Sequence, residues 1–286
     1  MIGVFDSGYG GLTILEPIRR TLPQYDYLYL GDNARAPYGT RSFQVIYEYT
    51  LQAVNYLFEQ GCRLVILACN TASAKALRTI QMHDINPDTH RVLGVIRPTV
   101  ESVFADNQLQ ERHIGILATQ GTVSSQSYVI ELKKQWSQRF PTLSLDHLHI
   151  SQQACPMWVP LIESGEYKET GADYFVNKYL TSLLKQDPLI DTILLACTHY
   201  PLLQKKIQDT LLTYLGKRPI PTLIAQGQIV ADSLKDYLLR HPEIEADCTK
   251  SGRCTFLTTE QADKFTSSAS VFLTAPIEAQ QVEFHA

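Results

Sequence analysis

The chain has 286 residues and a formal net charge of −4, with 44% hydrophobic and 19% charged residues. This length suits one large or two modest domains, each with its own core. The composition is that of a globular protein and excludes a disordered chain. Because the charge is only mildly acidic and Lys and Arg are scattered, neither nucleic acid nor an anionic membrane is expected as a partner.

The sequence also bears on cellular location. No segment approaches about eighteen consecutive apolar residues, so no membrane span is expected. The N-terminal MIGVFDSG enters a strand-like segment without a basic region and an apolar region before it, so no secretion signal is expected. A cytoplasmic location is therefore expected. The six cysteines are therefore expected to be reduced thiols. No CxxC pair and no His-x3–5-His spacing occurs, so no metal site is expected.

Short apolar runs alternate with longer amphipathic stretches along the chain. Runs rich in Val, Ile and Leu predict strands at 2–5, 25–31, 63–69, 91–96, 113–119, 143–150 and 192–197. Amphipathic stretches predict helices at 42–61, with Gly61 as its C-terminal cap, at 124–136 and at 172–186. Strand followed by helix, repeated, predicts an α/β fold with parallel sheets. The tail from about residue 250 predicts a late strand and turn attached to the lobe that the N-terminal residues form.

Polar side chains follow the predicted strands at the point where each ends. The clusters are Asp6-Ser7, Asp32-Asn33, Cys69-Asn70-Thr71, Thr119 and Cys197-Thr198-His199. Ligands of such sheets bind beyond the carboxyl ends of the strands. We therefore expect these clusters to face one cleft.

Two of these strand ends have nearly the same sequence. The segment LVILACNTAS carries Cys69, and TILLACTHYP carries Cys197. The match predicts two pseudo-symmetric parallel-sheet α/β lobes with the active site in the cleft between them. The first lobe is expected to comprise residues 1–97 and 207–286, and the second 98–206.

The two matched cysteines are candidate acid/base groups. A cysteine can be simply a small core residue. However, each of these two leads into a predicted helix start, where backbone amides favour a thiolate. A free thiol titrates near about 8.5, so a modest decrease in pKa permits acid and base roles near neutral pH.

Nearby polar residues are candidate partners of the thiols. His199 lies two residues after Cys197 and would share its face if the strand continued, although it can also be an ordinary loop histidine. Asp6 is a candidate partner of Cys69 or a cap of the helix that begins near Gly11, a role that Ser7 could also take. A carboxylate is expected beside the second thiol, and spacing alone does not choose between Glu163 and Glu166.

Two loops could bind substrate. The run DSGYGG (6–11) matches neither GxGxxG nor GxxxxGK[ST], which argues against a dinucleotide or nucleoside triphosphate. Its amides could instead cradle a carboxylate. The segment APYGTRS (36–42) is interpreted as either a simple turn or a substrate-gripping loop.

Several motifs together resemble a known family. In order, they are DSGYGGL (6–12), GDNARAPYGTRS (31–42), ACNTAS (68–73), TQGTVSS (119–125), ACPMWVPLIE (154–163), ACTHYPLL (196–203) and FLTTE (256–260). Each is modest alone, but in this order over nearly the whole chain they resemble the glutamate racemases of the aspartate/glutamate racemase superfamily.

The resemblance implies a cofactor-independent enzyme that interconverts L- and D-glutamate and supplies D-glutamate for peptidoglycan. It implies that Cys69 and Cys197 transfer protons on opposite faces of the α-carbon. Asp6 would assist Cys69, and His199 with Glu163 would assist Cys197. The substrate-binding residues implied are Ser7, Tyr38, Gly39, Asn70, Thr71, Thr122 and Thr198.

Two other functions fit the same residues. An aspartate or hydantoin racemase would use the same pair of cysteines. A non-catalytic protein that binds an acidic metabolite is the alternative from another class, although binding alone needs no pair of thiols. A homodimer is one candidate for the oligomeric state.

Overall fold

A computed structural model describes residues 1–105 and 111–284. The chain folds into two compact units. The first unit comprises Met1–Val95 and Gly227–Ala286, and the second comprises Ile96–Gln226. Within the described residues, no helix is both long and apolar enough to span a membrane.

The first unit contains a six-stranded sheet and its covering helices. Its elements are β1 (Ile2–Asp6), α1 (Leu12–Thr21), β2 (Tyr27–Gly31), a 3-10 turn (Asn33–Arg35), α2 (Phe43–Glu59), β3 (Leu64–Leu67), α3 (Asn70–Lys75), α4 (Leu77–His83) and β4 (Arg91–Gly94). After the second unit, the chain returns to the first. There α11 (Gly227–Arg240), α12 (Pro242–Ala246), β9 (Cys254–Thr258), α13 (Ala262–Ala269) and β10 (Ala279–Gln281) complete it.

The second unit contains a four-stranded sheet. Its elements are α5 (Ile96–Val103), β5 (Arg112–Ala118), α6 (Gln120–Ser125), α7 (Ser127–Arg139), a 3-10 turn (Leu145–His147), β6 (Leu148–Ala154), α8 (Trp158–Glu163), a 3-10 turn (Glu166–Lys168), α9 (Thr170–Gln186), β7 (Thr192–Ala196), a 3-10 turn (Tyr200–Leu203), α10 (Gln204–Leu215) and β8 (Thr222–Ile224).

Both sheets are parallel, and they share a topology. The first has the order β10-β9-β2-β1-β3-β4 and the second β6-β5-β7-β8. In each unit, the first four strands along the chain therefore lie in the order second, first, third, fourth. The position of β3 in one sheet corresponds to that of β7 in the other, which supports the expected internal repeat.

The apolar runs form strands because both faces of the first sheet are covered. Successive side chains of a strand point to opposite faces. Accordingly, Ile2 and Val4 pack in one apolar cluster, whereas Phe5 packs in the other. Residues of β1 and β3 are buried throughout, as expected for parallel strands.

Most predicted elements form, with local differences. The strand expected at 143–150 begins only at Leu148, because the residues before it form a 3-10 turn. The helix expected at 124–136 is interrupted at Gln126, whose φ of 57° separates α6 from α7. The C-terminal cap of α2 is Gln60 rather than the expected Gly61, which follows it directly with a φ of +86°. The late strand is β9, and α13 follows it in the first unit.

The division of the chain differs from the expected one mainly at the return crossing. The first crossing lies after Val95, close to the expected residue 97. The return lies after Gln226 rather than near residue 206. The reason is that β8 pairs with β7, so α10 and β8 belong to the second unit.

Candidate active site

Cys69 lies just beyond the carboxyl end of β3 and caps α3. Its side chain is 7% exposed. The sulfur accepts a hydrogen bond from the backbone amide of Ala72 at 3.4 Å and lies 3.3 Å from the hydroxyl oxygen of Ser7. Both groups can donate to a thiolate, and such donors favour the charged form. The first unit thus places a thiol beside two hydrogen-bond donors at the end of β3.

Asp6 is the last residue of β1, the strand beside β3, and is 1% exposed. Its Oδ2 accepts a hydrogen bond from the amide of Gly8 at 3.0 Å. Helix α1 begins at Leu12, with Gly11 at its cap and no side-chain capping bond. The structure therefore assigns the cap to neither Asp6 nor Ser7.

The surroundings of Asp6 are tightly packed and carry charge. A Cβ atom at Gly11 would lie 2.4 Å from the Cβ of Asp6, so only glycine fits there. Tyr29 donates from its hydroxyl to the carbonyl of Gly8 at 2.9 Å. Burial, then the charges of Asp6 and Cys69, hold the pKa of Tyr29 well above its usual value. Tyr29 is therefore a neutral hydrogen-bond donor beside both groups.

Two further predicted residues begin α3. Asn70 and Thr71 lie in its first turn, and each is buried. Because they follow Cys69 directly, their side chains and amides lie at the same strand end as the thiol.

The loop after β2 is anchored by a buried carboxylate. Asp32 accepts hydrogen bonds from the hydroxyl of Tyr38, from Nε of Arg35 at 2.7 Å and from the hydroxyl of Thr259 at 2.9 Å. Burial, together with Asp32, raises the pKa of Tyr38 well above its usual value. Gly39 lies in the turn that the Arg41 amide closes on the Tyr38 carbonyl at 3.1 Å.

Cys197 lies just beyond β7 and is 5% exposed. Its sulfur lies 3.9 Å from Nδ1 of His199, and Nε2 of His199 lies 2.8 Å from Oε1 of Glu163. Glu163 ends α8, whereas Glu166 begins the next 3-10 turn. The structure brings Glu163 to His199, which resolves the choice that spacing left open.

His199 reaches the thiol through a turn. Strand β7 ends at Ala196, and the Tyr200 amide bonds the Cys197 carbonyl at 3.1 Å. The strand does not continue to His199, which was the condition for a shared strand face, and the turn brings the ring to the sulfur instead.

The charge state of His199 follows from its surroundings. Burial lowers its pKa, but hydrogen bonds to Cys197 and Glu163 outweigh burial and raise the pKa to about 10. At neutral pH, His199 is therefore an imidazolium held between a sulfur and a carboxylate.

The predicted threonines of the second unit are also buried. Thr198 follows Cys197 directly, and Thr122 lies in the first turn of α6. Thr119 caps that helix: its hydroxyl oxygen accepts from the Thr122 amide at 3.2 Å, and its hydroxyl donates to the Thr122 hydroxyl at 3.1 Å. The structure thus places Thr122 at the end of β5, the strand beside β7.

The remaining four cysteines are neutral. Burial raises the pKa of Cys248 to about 11 and those of Cys62 and Cys254 to about 12, and it holds that of Cys155 well above its usual value. They are therefore protonated thiols at neutral pH. None of the six cysteines forms a disulfide.

Sequence reasoning named Asp32 and Thr119 as polar strand ends but gave them no role. The sequence did carry a signal for a functional position at both residues, because each directly follows a buried strand. Thr259, which also holds Asp32, lies far along the chain in the segment after β9, and no local pattern connects it to the loop.

Comparison with known proteins decides the family. A family model described as Asp/Glu/Hydantoin racemase matches residues 13–232. A glutamate racemase from Ruegeria sp. (strain TM1040) is 39% identical over 280 residues, which cover 95% of this chain and 96% of that protein. The chain belongs to the Asp/Glu/Hydantoin racemase family.

Solved structures agree with this assignment. Glutamate racemase isoform RacE1 from Bacillus anthracis matches with a TM-score of 0.82 at 29% identity, covering 99% of this chain and 97% of that chain. Glutamate racemase from Francisella tularensis, solved in complex with D-glutamate, matches with a TM-score of 0.81 at 30% identity, over 99% and 97% of the two chains. The resemblance, the α/β class and the assignment of this racemase as an isomerase are confirmed.

Proposed function

We propose that this racemase interconverts L- and D-glutamate by proton transfer at the α-carbon, with Cys69 and Cys197 as the two acid/base groups. Similarity to named glutamate racemases supports the substrate. The observation that supports the mechanism is the matched position of the two thiols. Each lies just beyond the third strand of its own sheet, followed by buried polar residues.

A racemase must serve two mirror-image substrates. It therefore needs a proton acceptor on one face of the α-carbon and a proton donor on the other, with the roles exchanged for the reverse reaction. In the proposal, one thiolate removes the α-proton and the opposing thiol protonates the resulting carbanion. The proposal requires both sulfurs to reach one substrate from opposite sides.

The thiol of Cys69 is prepared by its neighbours. The Ser7 hydroxyl and the Ala72 amide stabilise the thiolate form, and Asp6 assists proton transfer from the neighbouring strand. The second thiol is prepared differently. His199, as an imidazolium, stabilises a Cys197 thiolate. Glu163 orients the imidazole ring and stabilises its positive charge.

The α-proton of an amino acid is very weakly acidic, so developing negative charge must be stabilised. The proposed substrate-binding residues carry hydroxyl, amide and backbone donors suited to this task. They are Ser7, Tyr38, Gly39, Asn70, Thr71, Thr122 and Thr198. In the proposal, this set binds the two carboxylates and the amino group, and no metal or organic cofactor takes part.

The wider role belongs to the same proposal. D-glutamate formed by this racemase would supply peptidoglycan synthesis and so cell shape, in the cytoplasm. A homodimer is the proposed assembly.

The test is exchange of the α-proton in D2O. Purified protein is incubated separately with L-glutamate, L-aspartate and a chiral hydantoin, and deuterium incorporation and optical rotation are followed. We expect exchange and racemisation of glutamate well above those of the other two. Preferential turnover of aspartate or hydantoin would overturn the assignment of glutamate as the substrate. Binding of glutamate without exchange would indicate a non-catalytic binding protein.

A further inference from the structure

A cluster of ionisable side chains lies at the amino-terminal edge of the second sheet. His113 and His149 are the second residues of β5 and β6, and the register places them directly opposite each other. Glu111 lies just before β5, and Asp187 just after α9. None of the four belongs to the site proposed for racemisation.

The donor atoms of this cluster converge. Oε1 of Glu111 lies 3.5 Å from Nε2 of His113 and 3.2 Å from Nε2 of His149. One donor atom from each of these three residues lies within 4.8 Å of the other two. Zinc bonds of about 2.0–2.2 Å in a tetrahedral site separate ligand atoms by roughly 3.3–3.5 Å. The two separations from Glu111, 3.5 and 3.2 Å, are therefore close to the edges of such a site.

A fourth residue orients one imidazole. Oδ2 of Asp187 lies 2.7 Å from Nδ1 of His113, and both side chains are largely buried. When Nδ1 donates to this carboxylate, Nε2 is left as the lone-pair donor, which points the ligand nitrogen toward Glu111. A carboxylate behind a histidine is the usual support of a metal-binding imidazole.

We propose that His113, His149 and Glu111 form a binding site for a divalent zinc-like ion, with Asp187 as the positioning residue. Water from the adjoining cavity of about 510 Å³, which both histidines and Asp187 line, completes the coordination. The two imidazole rings are stacked with centroids 4.3 Å apart and planes 12° apart. His149, which is exposed, therefore turns its ring out of the stack when the ion binds.

The site is separate from Cys197. His113 lies near the start of β5, whereas Ala118 at its end pairs with Ala196 beside the thiol. Five residues of strand separate the two ends by about 17 Å. An ion here would tie β5, β6 and the segment after α9 together, which is a structural rather than a catalytic task.

Local spacing could not predict this site, since the ligands come from different strands. The expectation that the chain has no metal site rests on the absence of short-range spacings. The parallel register instead pairs His113, in the segment RHIG, with His149, in the similar segment LHIS.

The test is equilibrium dialysis of the full chain against ZnCl2. Active-site thiols also bind zinc, so the background is the double variant Cys69→Ser/Cys197→Ser, with its fold checked by circular dichroism. We expect one saturable zinc ion per chain. Asp187→Asn should weaken binding about 10- to 100-fold, and His149→Ala or Glu111→Gln at least as much.

His147→Ala is the matched control, since His147 is an exposed histidine in the turn just before β6. It should leave the zinc affinity unchanged. In NMR spectra, zinc should shift the ring signals of His113 and His149 but not those of His147. Absence of saturable zinc binding, or equal affinity in His149→Ala and the background, would overturn the proposal and identify the cluster as ion pairs alone. Neither result bears on the racemase assignment.

Discussion

The two cysteine centres occupy matched places in the two sheets but differ in what surrounds the sulfur. At Cys69, the contacts include the neutral hydroxyl of Ser7 and the backbone amide of Ala72. At Cys197, the neighbour is the ring of His199, which Glu163 holds from its other side. The repeat thus shares the position of the thiol but not the groups around it.

This difference separates placement from tuning. Strand order places both thiols, whereas the proposal assigns the control of their protonation to side chains from other elements. Hydrogen bonds to a charged partner are about twice as strong as those between neutral groups. We therefore expect Cys197 to depend more on its neighbour than Cys69 depends on Ser7.

The largest effect is expected when either thiol is removed. Cys69→Ser and Cys197→Ser should each lower kcat for glutamate racemisation about 1,000-fold or more, because a serine hydroxyl is a far weaker acid. The measurement is circular dichroism of the substrate in both directions. Cys254→Ala, a cysteine of β9, is the control and should retain activity. Retention of turnover in the double serine variant would refute the two-thiol mechanism.

The next largest effect concerns His199. His199→Gln should lower kcat about 100-fold, with a smaller loss for Glu163→Gln, because the charged neighbour of Cys197 is lost. A merely structural role for His199 would leave the pH profile of kcat unchanged, whereas we expect that profile to shift.

His199 also makes stability depend on pH. Its pKa is 6.5 as an ordinary group and about 10 in the fold, so the folded state binds the extra proton between these values. The stability that protonated His199 contributes should be complete below pH 6.5 and lost as pH rises through about 10. Urea unfolding of the protein and of His199→Gln should give a difference in the free energy of unfolding that shrinks across this range. A difference in the free energy of unfolding that stays constant with pH would contradict the assignment of His199 as an imidazolium.

A smaller effect is expected from crowding Asp6. Gly11→Ala places a Cβ 2.4 Å from that of Asp6, so the backbone must shift, at a cost of about 1–3 kcal/mol in stability. The control is Gly171→Ala in α9, where no atom lies within 4 Å of the added Cβ. The control should unfold at the same urea concentration as the parent or slightly higher. Equal behaviour of the two variants would mean that Asp6 is not held by this packing.

The smallest effect is expected at Ser7. Ser7→Ala removes one neutral contact to the Cys69 sulfur, worth about 0.5–1.5 kcal/mol, or roughly 2- to 12-fold in rate. Steady-state kinetics at several pH values measure it. If this loss equals that of His199→Gln, the proposed difference between the two centres is wrong.

Much of the architecture could be predicted from the sequence. The runs that contain β1, β3 and β7 are apolar and buried on both faces, so composition alone identifies them. Short elements such as β8 and β10 have three residues each and carry no strong pattern. The return crossing was misplaced because it depends on the pairing of β8 with β7, which is a tertiary contact.

The candidate site was predicted unevenly for the same reason. Cys69 and Cys197 stand out because local sequence repeats around them. The contact of Glu163 with His199 depends on how α8 packs against the turn after β7, so spacing could not choose it over Glu166. The alternative of Asp6 as a helix cap could not be judged from the sequence, because it depends on α1 beginning at Leu12 with Gly11 as its cap.

The central claim is that the two thiols act on opposite faces of one α-carbon. It is tested most directly by chloride release from the two separate enantiomers of one diastereomer of 3-chloroglutamate. This elimination needs removal of the α-proton but no reprotonation from the other side. We predict that Cys69→Ser and Cys197→Ser each eliminate chloride from only one enantiomer at the α-carbon, and that their preferences are opposite. The same preference in both variants would contradict the claim.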